Sequence, residues 1–469
     1  MKGESFRGRR VLVVGLARSG AAAIEFLLDQ GAEVRATDLK EESELPVDAS
    51  ALQRRGVELI LGGHPPGLVD DVSLVVVSPG VPLQVLPLKE ARSRGVPVWG
   101  ELELAFRQIR GTVVAVTGTK GKSTTASLIT EILKRAGKTV ALGGNIGQPL
   151  ISLTEQSVPG VCFVVEVSSF QLETTVQFRP HVGVLLDVTP DHLDWHPSFE
   201  DYVRAKQRIF AHQGPEDWAV AYGASPLTVD MANKARSRKV FFNLDCMGDQ
   251  IPHVCVKGPW IMKHDNGEMT ALISKERVPL KGRHNLENVL AAVASVLAMD
   301  VDPEFIDEAL LGFTGIPHAL EKIGELNGVA FYDDSKATNV AAAKAALASF
   351  AGGVFLILGG RYKGGDFREL RPEVERSVKR ILAIGEAGER ITRSLGDVVP
   401  VESCRDLREA VRIAYQLAVT GDTILLSPAC ASFDMFTDYA ERGVRFGEEV
   451  EKLKASVAAG RDEERSKED

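Results

Sequence analysis

The stretch VTGTKGKSTT, residues 116–125, crowds two lysines, two glycines and five hydroxyl side chains directly behind the apolar run GTVVAV. A strand feeding such a loop suits phosphate: backbone N–H groups from Gly118 to Lys122 wrap the oxygens, and Lys122 reaches the terminal phosphates. Ser123 or Thr124 then offers a hydroxyl to Mg²⁺. The usual nucleotide loop has Gly, four residues, then Gly-Lys-Ser/Thr, which would put its first glycine at Val116, so this loop is a shortened form. The plain alternative is a glycine-rich turn with two surface lysines. Against it, TTASLITEILKRAG continues with Leu128, Ile129, Ile132 and Leu133 at the spacing of a packed helix face.

A carboxylate and a lysine stand where apolar residues are the rule. In VVEVSSFQLE, Glu166 sits among Val164, Val165 and Val167 at the end of an expected buried strand, where an ionised acid needs a partner. A salt bridge would satisfy it, and so would a magnesium ion beside the phosphates. DVTPDHLDWH places His192 and His196 on one helix face if helical, but Pro190 and Pro197 argue for a short turn. His192 is read as a loop histidine beside a second metal and His196 as a surface or capping residue. In FEDYVRAKQRIFAH, Lys206 falls in the middle of the face formed by Phe199, Tyr202, Val203, Ile209, Phe210 and Gln213. Snorkelling to solvent is one account. Burial would instead lower its pKa, and the neutral amine could add CO₂ to form a carbamate able to bind a hard cation.

Weaker signals flank these. GLARSG sets Gly15 and Gly20 around Ala17 where a dinucleotide fingerprint wants a third glycine, with Asp38 closing the next strand. A nucleotide at this helix N-terminus and a bare strand-turn-helix are both open. YDDSKATN brings Asp333, Asp334, Ser335, Lys336 and Thr338 between a strand and an alanine-rich helix, with Thr338 or Asn339 as its cap. LGGRYKGGDF and SPACASFDMF follow two later strands and supply Lys363, Asp366, Ser427 and Ser432.

The elements that must position these residues alternate strand and helix along 469 residues, the pattern of α/β domains with parallel sheets. Three blocks separate, with cuts near residues 100 and 315. The tail AAGRDEERSKED is charged and is expected to fray. The net charge of −9 argues against a nucleic-acid surface. No run approaches the roughly 18 apolar residues of a membrane span, and the first residues do not resemble a signal peptide, so the cytoplasm is expected. Cys162, Cys246, Cys255, Cys404 and Cys430 include no CxxC pair, and are expected to be reduced and structural rather than bridged or bound to zinc.

Taken together, GTKGKST, GGNIG, EVSSFQLE, DHLDWH, RAKQRIF, GRHNLENVLAA, GIPH, DDSKATN, ILGGRYKGGDF and SPACASFDMF, in this order, resemble the Mur ligase family over essentially the whole chain. Within it the likeness is to the branch that adds D-glutamate to UDP-N-acetylmuramoyl-L-alanine in peptidoglycan synthesis. The resemblance implies three α/β domains: an N-terminal Rossmann-like domain for the UDP substrate (1–100), a central domain with a P-loop ATPase-type parallel sheet (101–315), and a C-terminal Rossmann-like domain for the amino acid (316–469). It also implies a reaction. ATP phosphorylates the substrate carboxylate, the amine of D-glutamate attacks the acyl phosphate, and an amide, ADP and phosphate result.

Residue roles follow from the same resemblance. Gly118, Thr119, Lys120, Gly121, Lys122, Ser123 and Thr124 would hold the ATP phosphates; Asn285 and Asp334 would contact adenosine, with His318 close by. Ser123 and Glu166 would position one Mg²⁺, and His192 with carbamylated Lys206 a second. Ala17, Arg18, Ser19, Asp38, Ser78, Pro79 and Gly80 match the uridine diphosphate positions, and Asn145, Ser168 and Gln171 the muramoyl arm. Lys336, Thr338, Lys363, Ser432 and Tyr439 match the D-glutamate positions, where lysines and hydroxyls suit a dianion; Lys336 is also counted with the catalytic groups Lys122, Glu166, His192 and Lys206. A monomer is expected, with no nucleic-acid partner and no membrane insertion, and domain closure is expected from the three-block layout, because the ligand groups are spread over all three blocks. Three positions depart from the pattern: Ala319 replaces an expected arginine, Tyr439 an expected phenylalanine, and Lys40 stands near an expected arginine. A sister ligase using another amino acid, or a folylpolyglutamate synthase-like enzyme, is the nearest alternative. A dehydrogenase built on Gly15, Gly20 and Asp38 would leave the 117–125 loop unused, and a non-catalytic nucleotide sensor would leave Lys206 unexplained.

Overall fold

A computed structural model describes residues 5–468 apart from Pro46, Asp194, Gln250, Lys281, Thr314 and Lys363, with side chains through residue 458. The chain divides into two compact units, residues 1–313 and 314–469. Three sheets carry the fold, two in the first unit and one in the second.

The first sheet contains β1 (Arg10–Val14), β2 (Glu33–Thr37), β3 (Glu58–Ile60), β4 (Leu74–Val77) and β5 (Val98–Gly100), all parallel in the order β3-β2-β1-β4-β5. β1 and β4 read as unbroken apolar runs because helices or loops cover both faces, as parallel sheets require. The helix Arg18–Asp29 between β1 and β2 ends at Gly31, whose φ of +76° lets Gly31 N–H reach Leu28 O and Ala32 N–H reach Leu27 O. That pair of bonds is the glycine-dependent helix stop expected at this residue.

The central sheet holds β6 (Thr112–Thr117), β7 (Thr139–Gly144), β8 (Val161–Glu166), β9 (Val182–Leu185), β10 (Trp218–Tyr222), β11 (Arg238–Phe242), β12 (His253–Lys257), β13 (Trp260–Asp265) and β14 (Glu268–Ser274). Its order is β14-β13-β12-β11-β10-β9-β6-β8-β7. From β7 to β12 every pairing is parallel; β13 and β14 then add an antiparallel extension. β6 lies between β8 and β9, so the chain leaves β6 toward one edge and later returns on its other side, which opens a crevice beyond the carboxyl ends of these strands. The helix Lys122–Arg135 buries Leu128, Ile129, Ile132 and Leu133 against the helix Arg283–Leu297 and the sheet.

Two buried acids join the first two sheets. The helix Glu101–Phe106 follows β5 directly; Glu101 accepts from Ile151 N–H at 2.7 Å and Glu103 from the backbone of Val176, Gln177 and Phe178. Burial pushes the Glu101 carboxyl up to about 7. A single apolar cluster runs past them from Val11 and Val76 to Phe163 and Leu185.

The second unit has β15 (Glu321–Leu326), β16 (Val329–Asp333), β17 (Val354–Gly359), β18 (Val378–Ile384), β19 (Val401–Ser403) and β20 (Thr423–Leu426), ordered β15-β16-β20-β17-β18-β19. β15 is antiparallel to β16 and the remaining pairings are parallel. The α/β class with three domains therefore stands, with antiparallel strands added at the edges of two sheets. The helix beginning at Tyr439 continues to Glu468 through the tail expected to fray. Among the described residues no helix is long and apolar enough to cross a membrane.

The expectation for the cysteines is overturned in part. Cys246 and Cys255, nine residues apart, form a disulfide between the loop after β11 and the interior of β12. The linear spacing hid it because the loop folds back onto the strand. Cys162, Cys404 and Cys430 are free and buried, as expected of structural thiols.

Candidate functional site

The loop after β6 is built on two glycines whose backbone no other residue could adopt without strain. Gly118 has φ +150° and a Cβ there would come within 2.6 Å of Leu186 Cβ; Gly121 has φ +81° and its Cβ would meet Asn288 Oδ1 at 2.1 Å. Between them Thr119 is pinned by its N–H to Asp187 O and its Oγ1 to Thr189 O, while Lys120 points to solvent. Lys122 opens the helix, partly exposed, and folds over the loop to donate to Gly118 O at 3.1 Å and Thr119 O at 2.9 Å. Loss of solvent lowers its pKa, opposed by Glu166 and Asp191. Ser123 and Thr124 occupy the first turn.

Glu166 ends β8 level with Val116 of β6 and is buried. Its carboxylate accepts from Ser123 Oγ at 2.6 Å and from Asn145 Nδ2 at 2.8 Å. No cation side chain pairs with it at hydrogen-bond distance among the described residues, so the salt-bridge reading gives way to a carboxylate facing the phosphate loop. Ser168 caps the short helix Ser169–Glu173 and exchanges hydrogen bonds with Gln171, which places both beyond the end of the same strand.

Lys206 is only 2% exposed, so it does not snorkel. Its Nζ donates to Gly118 O at 2.7 Å and lies 4.5 Å from the centre of the Tyr202 ring. Burial, then repulsion from Lys122, brings its pKa down to about 7, against the pull of Asp191 and Glu166. Tyr202 also bonds Thr119 Oγ1 at 3.1 Å. The helix Phe199–Gln207 thus presents a lysine and a tyrosine to one turn of the loop. His192 has φ +53° and a half-exposed ring 4.9 Å from Phe170. Strained, non-glycine backbone of this kind persists where surrounding structure holds it, commonly at functional sites. His196 is not the surface residue expected: it is 1% exposed, stacked on Phe170, and bonded through Nε2 to Ser169 Oγ at 2.9 Å. Burial lowers its pKa, and its role is to brace the turn that carries His192.

At the first sheet, Ala17, Arg18 and Ser19 open the helix after β1, Asp38 follows β2, and Ser78, Pro79 and Gly80 follow β4. These are three adjacent strands, and their carboxyl ends meet. Asp38 accepts from Leu16 N–H at 2.7 Å and Lys40 N–H at 3.0 Å, and Ser78 Oγ donates to Gly15 O at 2.7 Å. A Cβ on Gly20 would fall 1.9 Å from Gly15 O, which explains that glycine by packing alone. Asn285 stands in the first turn of Arg283–Leu297, one turn before Asn288.

In the second unit, Asp334 follows β16 and is buried; it accepts from Leu320 N–H at 3.1 Å and Ser427 Oγ at 2.7 Å, and burial pushes its pKa up to about 7. His318, with φ +63°, bonds Asp333 Oδ2 through Nδ1 at 2.6 Å, and its carbonyl accepts from Lys336 N–H. Asn339, not Thr338, caps the next helix, accepting from Ala342 N–H, which leaves the Thr338 side chain out of the cap. Ser432 is buried in the loop after β20, and Tyr439 begins the last helix. Lys363 lies outside the described residues. Arg442, 1% exposed, has no signal in the sequence: its guanidinium donates to Ser335 O at 2.8 Å and to Cys430 O at 3.1 Å, tying the DDSKATN and SPACASF loops together. Asn288 and the bond of Tyr202 to Thr119 have no local signal either, since the partners lie far apart along the chain.

Residues 9–100, 116–296 and 320–430 match three families, described as the MurD-like N-terminal domain, the Mur ligase middle domain and the Mur ligase glutamate ligase domain. Among curated relatives, the UDP-N-acetylmuramoylalanine--D-glutamate ligase of Acidobacterium capsulatum is 43% identical over 440 residues, covering 94% of this chain and 95% of the relative. The protein of the same name from Pelotomaculum thermopropionicum is 43% identical over 457 residues, covering 96% and 99%. Among solved structures, a pseudomurein peptide ligase type C from Methanothermus fervidus aligns with TM-score 0.55 at 20% identity, covering 95% of this chain and all (100%) of the other. A MurF ligase from Thermotoga maritima in complex with ADP aligns with TM-score 0.54 at 18% identity, covering 95% and 96%, a likeness of fold.

Proposed function

Because the chain belongs to the Mur ligase family, we propose that its three domains, cut near residues 100 and 315, carry one ligase reaction. The protein is an ATP-dependent enzyme that adds D-glutamate to UDP-N-acetylmuramoyl-L-alanine, forming an amide with release of ADP and phosphate, in the synthesis of peptidoglycan precursors. It works in the cytoplasm as a monomer. The observation that carries the assignment of the reaction centre is the buried Lys206 Nζ at 2.7 Å from Gly118 O, beside a loop whose other wall is Glu166 and Ser123.

In the proposed mechanism the N–H groups of Gly118 to Thr124 and the Lys122 ammonium hold the ATP phosphates and keep the γ-phosphoryl in line with the substrate carboxylate. A carboxylate oxygen attacks phosphorus and ADP leaves; the amine of D-glutamate then attacks the acyl carbon and phosphate leaves. Asn285 serves ATP, as do His318 and Asp334. Ala17 to Ser19, Asp38 and Ser78 to Gly80 receive the uridine diphosphate, while Asn145, Ser168 and Gln171 orient the muramoyl arm. Lys336, Thr338, Lys363, Ser432 and Tyr439 take D-glutamate; in this set, lysines answer two carboxylates.

The residues present suit magnesium. Ser123 Oγ and Glu166 form a hard-oxygen pair at the mouth of the loop, and Asn145 orients the carboxylate. Lys206 suits a carbamate, since a buried amine with pKa near 7 is substantially neutral at neutral pH, and carbamylation replaces repulsion of Lys122 by attraction. Ser123 and Glu166 would hold one ion, His192 and carbamylated Lys206 a second. When bound, such ions offset the negative charge that gathers during phosphoryl transfer.

The test is phosphate release from ATP and Mg²⁺ with UDP-N-acetylmuramoyl-L-alanine, offering D-glutamate, L-glutamate, L-alanine and meso-diaminopimelate separately. Release with D-glutamate alone supports the reading. Release with another amino acid, or with none, overturns it.

A further inference from the structure

The antiparallel extension of the central sheet contains a cluster that the ligase reaction does not use. Sγ of Cys246, Sγ of Cys255 and a ring nitrogen of His253 lie within 4.8 Å of one another. Tetrahedral zinc with ligand bonds of about 2.0–2.3 Å separates its ligand atoms by roughly 3.3–3.8 Å, so small side-chain rotations bring all three onto one ion. His253 and Cys255 are buried in β12, and Cys246 reaches them from the exposed loop after β11. The His253 tautomer leaves one ring nitrogen able to ligate, in exchange for a backbone N–H it now accepts. Its Nδ1 bonds Ile251 O at 2.6 Å, which leaves Nε2 as the lone-pair nitrogen, now accepting from Met247 N–H at 3.1 Å. A backbone carbonyl on the far ring nitrogen is the usual outer-shell arrangement of a metal-binding histidine.

A second buried imidazole supports it. His264 of β13 faces His253 directly in the register and stacks on its ring at 4.8 Å between centroids, 2% exposed. It shares the Ile251 carbonyl, 3.3 Å from its Nδ1, and holds the His253 ring plane. Cys246, His253 and His264 border a cavity of about 430 Å³ that also meets Asp249, Met247 and Met269, and Cys246 itself is exposed; Cys255 lies buried behind it.

We propose that the dithiol form of this cluster binds one soft divalent ion of the zinc class through Cys246, His253 and Cys255, with the fourth place open to solvent, and that the Cys246–Cys255 disulfide is its ion-free oxidised form. Interconversion balances by thiol–disulfide exchange. A dithiol reductant gives two electrons and two protons to the disulfide and becomes a disulfide itself, and the two thiols lose their protons as thiolates when the ion binds. In a reducing compartment the dithiol form prevails. The assignment is independent of the ligase reading, which its test does not assay.

The full chain, reduced with a phosphine and freed of metal, is titrated with Co²⁺ and then Zn²⁺. Expected are the visible bands of tetrahedral cobalt with a thiolate-to-cobalt band in the ultraviolet, bleached by one equivalent of zinc per chain and absent from the oxidised protein. Cys246→Ser, at an exposed position, should weaken binding by at least about 100-fold, more than loss of an outer-shell partner costs. His264→Gln should weaken it by roughly 10-fold to 100-fold while keeping the thiolate band. Absence of a thiolate band in the reduced wild-type protein, or an equal band in Cys246→Ser, would overturn the proposal and leave a structural disulfide.

Discussion

Lys206 Nζ donates to the Gly118 carbonyl at 2.7 Å, which fastens a lysine from the helix Phe199–Gln207 to the first glycine of the phosphate loop. The contact explains how a cation can be 2% exposed without an acid directly on it. It also makes the lysine separable from nucleotide binding, because the loop N–H groups and Lys122 remain when the side chain is removed. Lys206→Ala is therefore expected to lower kcat by at least about 100-fold, the scale of losing one electrostatic stabiliser. ATP affinity, read by calorimetry, should change little, and a short carboxylic acid should restore part of the rate. Full activity of the variant would remove the carbamate from the mechanism.

The same lysine predicts a dependence on dissolved CO₂. Only the neutral amine forms a carbamate, and with a folded pKa near 7 the neutral fraction falls as pH drops through that value. Enzyme held below pH 7 in CO₂-depleted buffer should start slowly, and bicarbonate should restore the rate. Initial rates indifferent to bicarbonate across this range would count against it.

Gly121→Ala tests the loop from the other side. The new Cβ would sit 2.1 Å from Asn288 Oδ1 at a φ of +81°. The strained backbone alone costs about 1–3 kcal/mol. The asparagine amide must turn away as well, so ATP affinity should fall by an order of magnitude or more. An unchanged ATP affinity would show that the loop relaxes without disturbing its N–H groups.

Much of this site is legible in residue order because its parts sit next to strands. Gly118, Lys122 and Ser123 share one strand-loop-helix turn, Glu166 stands out among valines, and Lys206 interrupts an apolar helix face. Each signal is local, with a period or a neighbour to violate. His196 misleads because proline on either side suggests an exposed turn, whereas Phe170, 26 positions earlier in sequence, stacks on it. The Cys246–Cys255 bridge is hidden because its closure depends on a loop folding back on β12, and no linear spacing encodes that. Arg442 is hidden because a guanidinium that serves two backbone carbonyls leaves no pattern in side-chain types.

Asp334 should impose a pH dependence on stability. Its folded pKa is pushed up to about 7 from 3.8 by burial, so between these values the folded chain holds a proton that the unfolded chain has lost. The stability it contributes is full below about pH 4 and is lost as pH rises toward 7, a change on the order of a few kcal/mol. Asp334→Asn keeps an acceptor for Leu320 N–H and can donate to Ser427 Oγ. Chemical denaturation from pH 4 to 7 should therefore show a flatter profile in the variant, and parallel profiles would exclude Asp334 as the source.

Arg442 offers the sharpest separation between structure and substrate. Its guanidinium is buried with Nε unpaired, and burial brings its pKa down to about 10. It persists there because the Ser335 and Cys430 carbonyls it binds belong to the two loops that carry Lys336, Thr338 and Ser432. Arg442→Met keeps most of the volume and leaves both carbonyls without their donor, each costing about 1–3 kcal/mol when buried. On the proposed assignment of those loops to D-glutamate and of the first sheet to the UDP substrate, KM for D-glutamate should rise by an order of magnitude or more while KM for UDP-N-acetylmuramoyl-L-alanine stays close to its original value. Equal rises in both would mean that the arginine supports the fold in general and does not set the geometry of the amino-acid site.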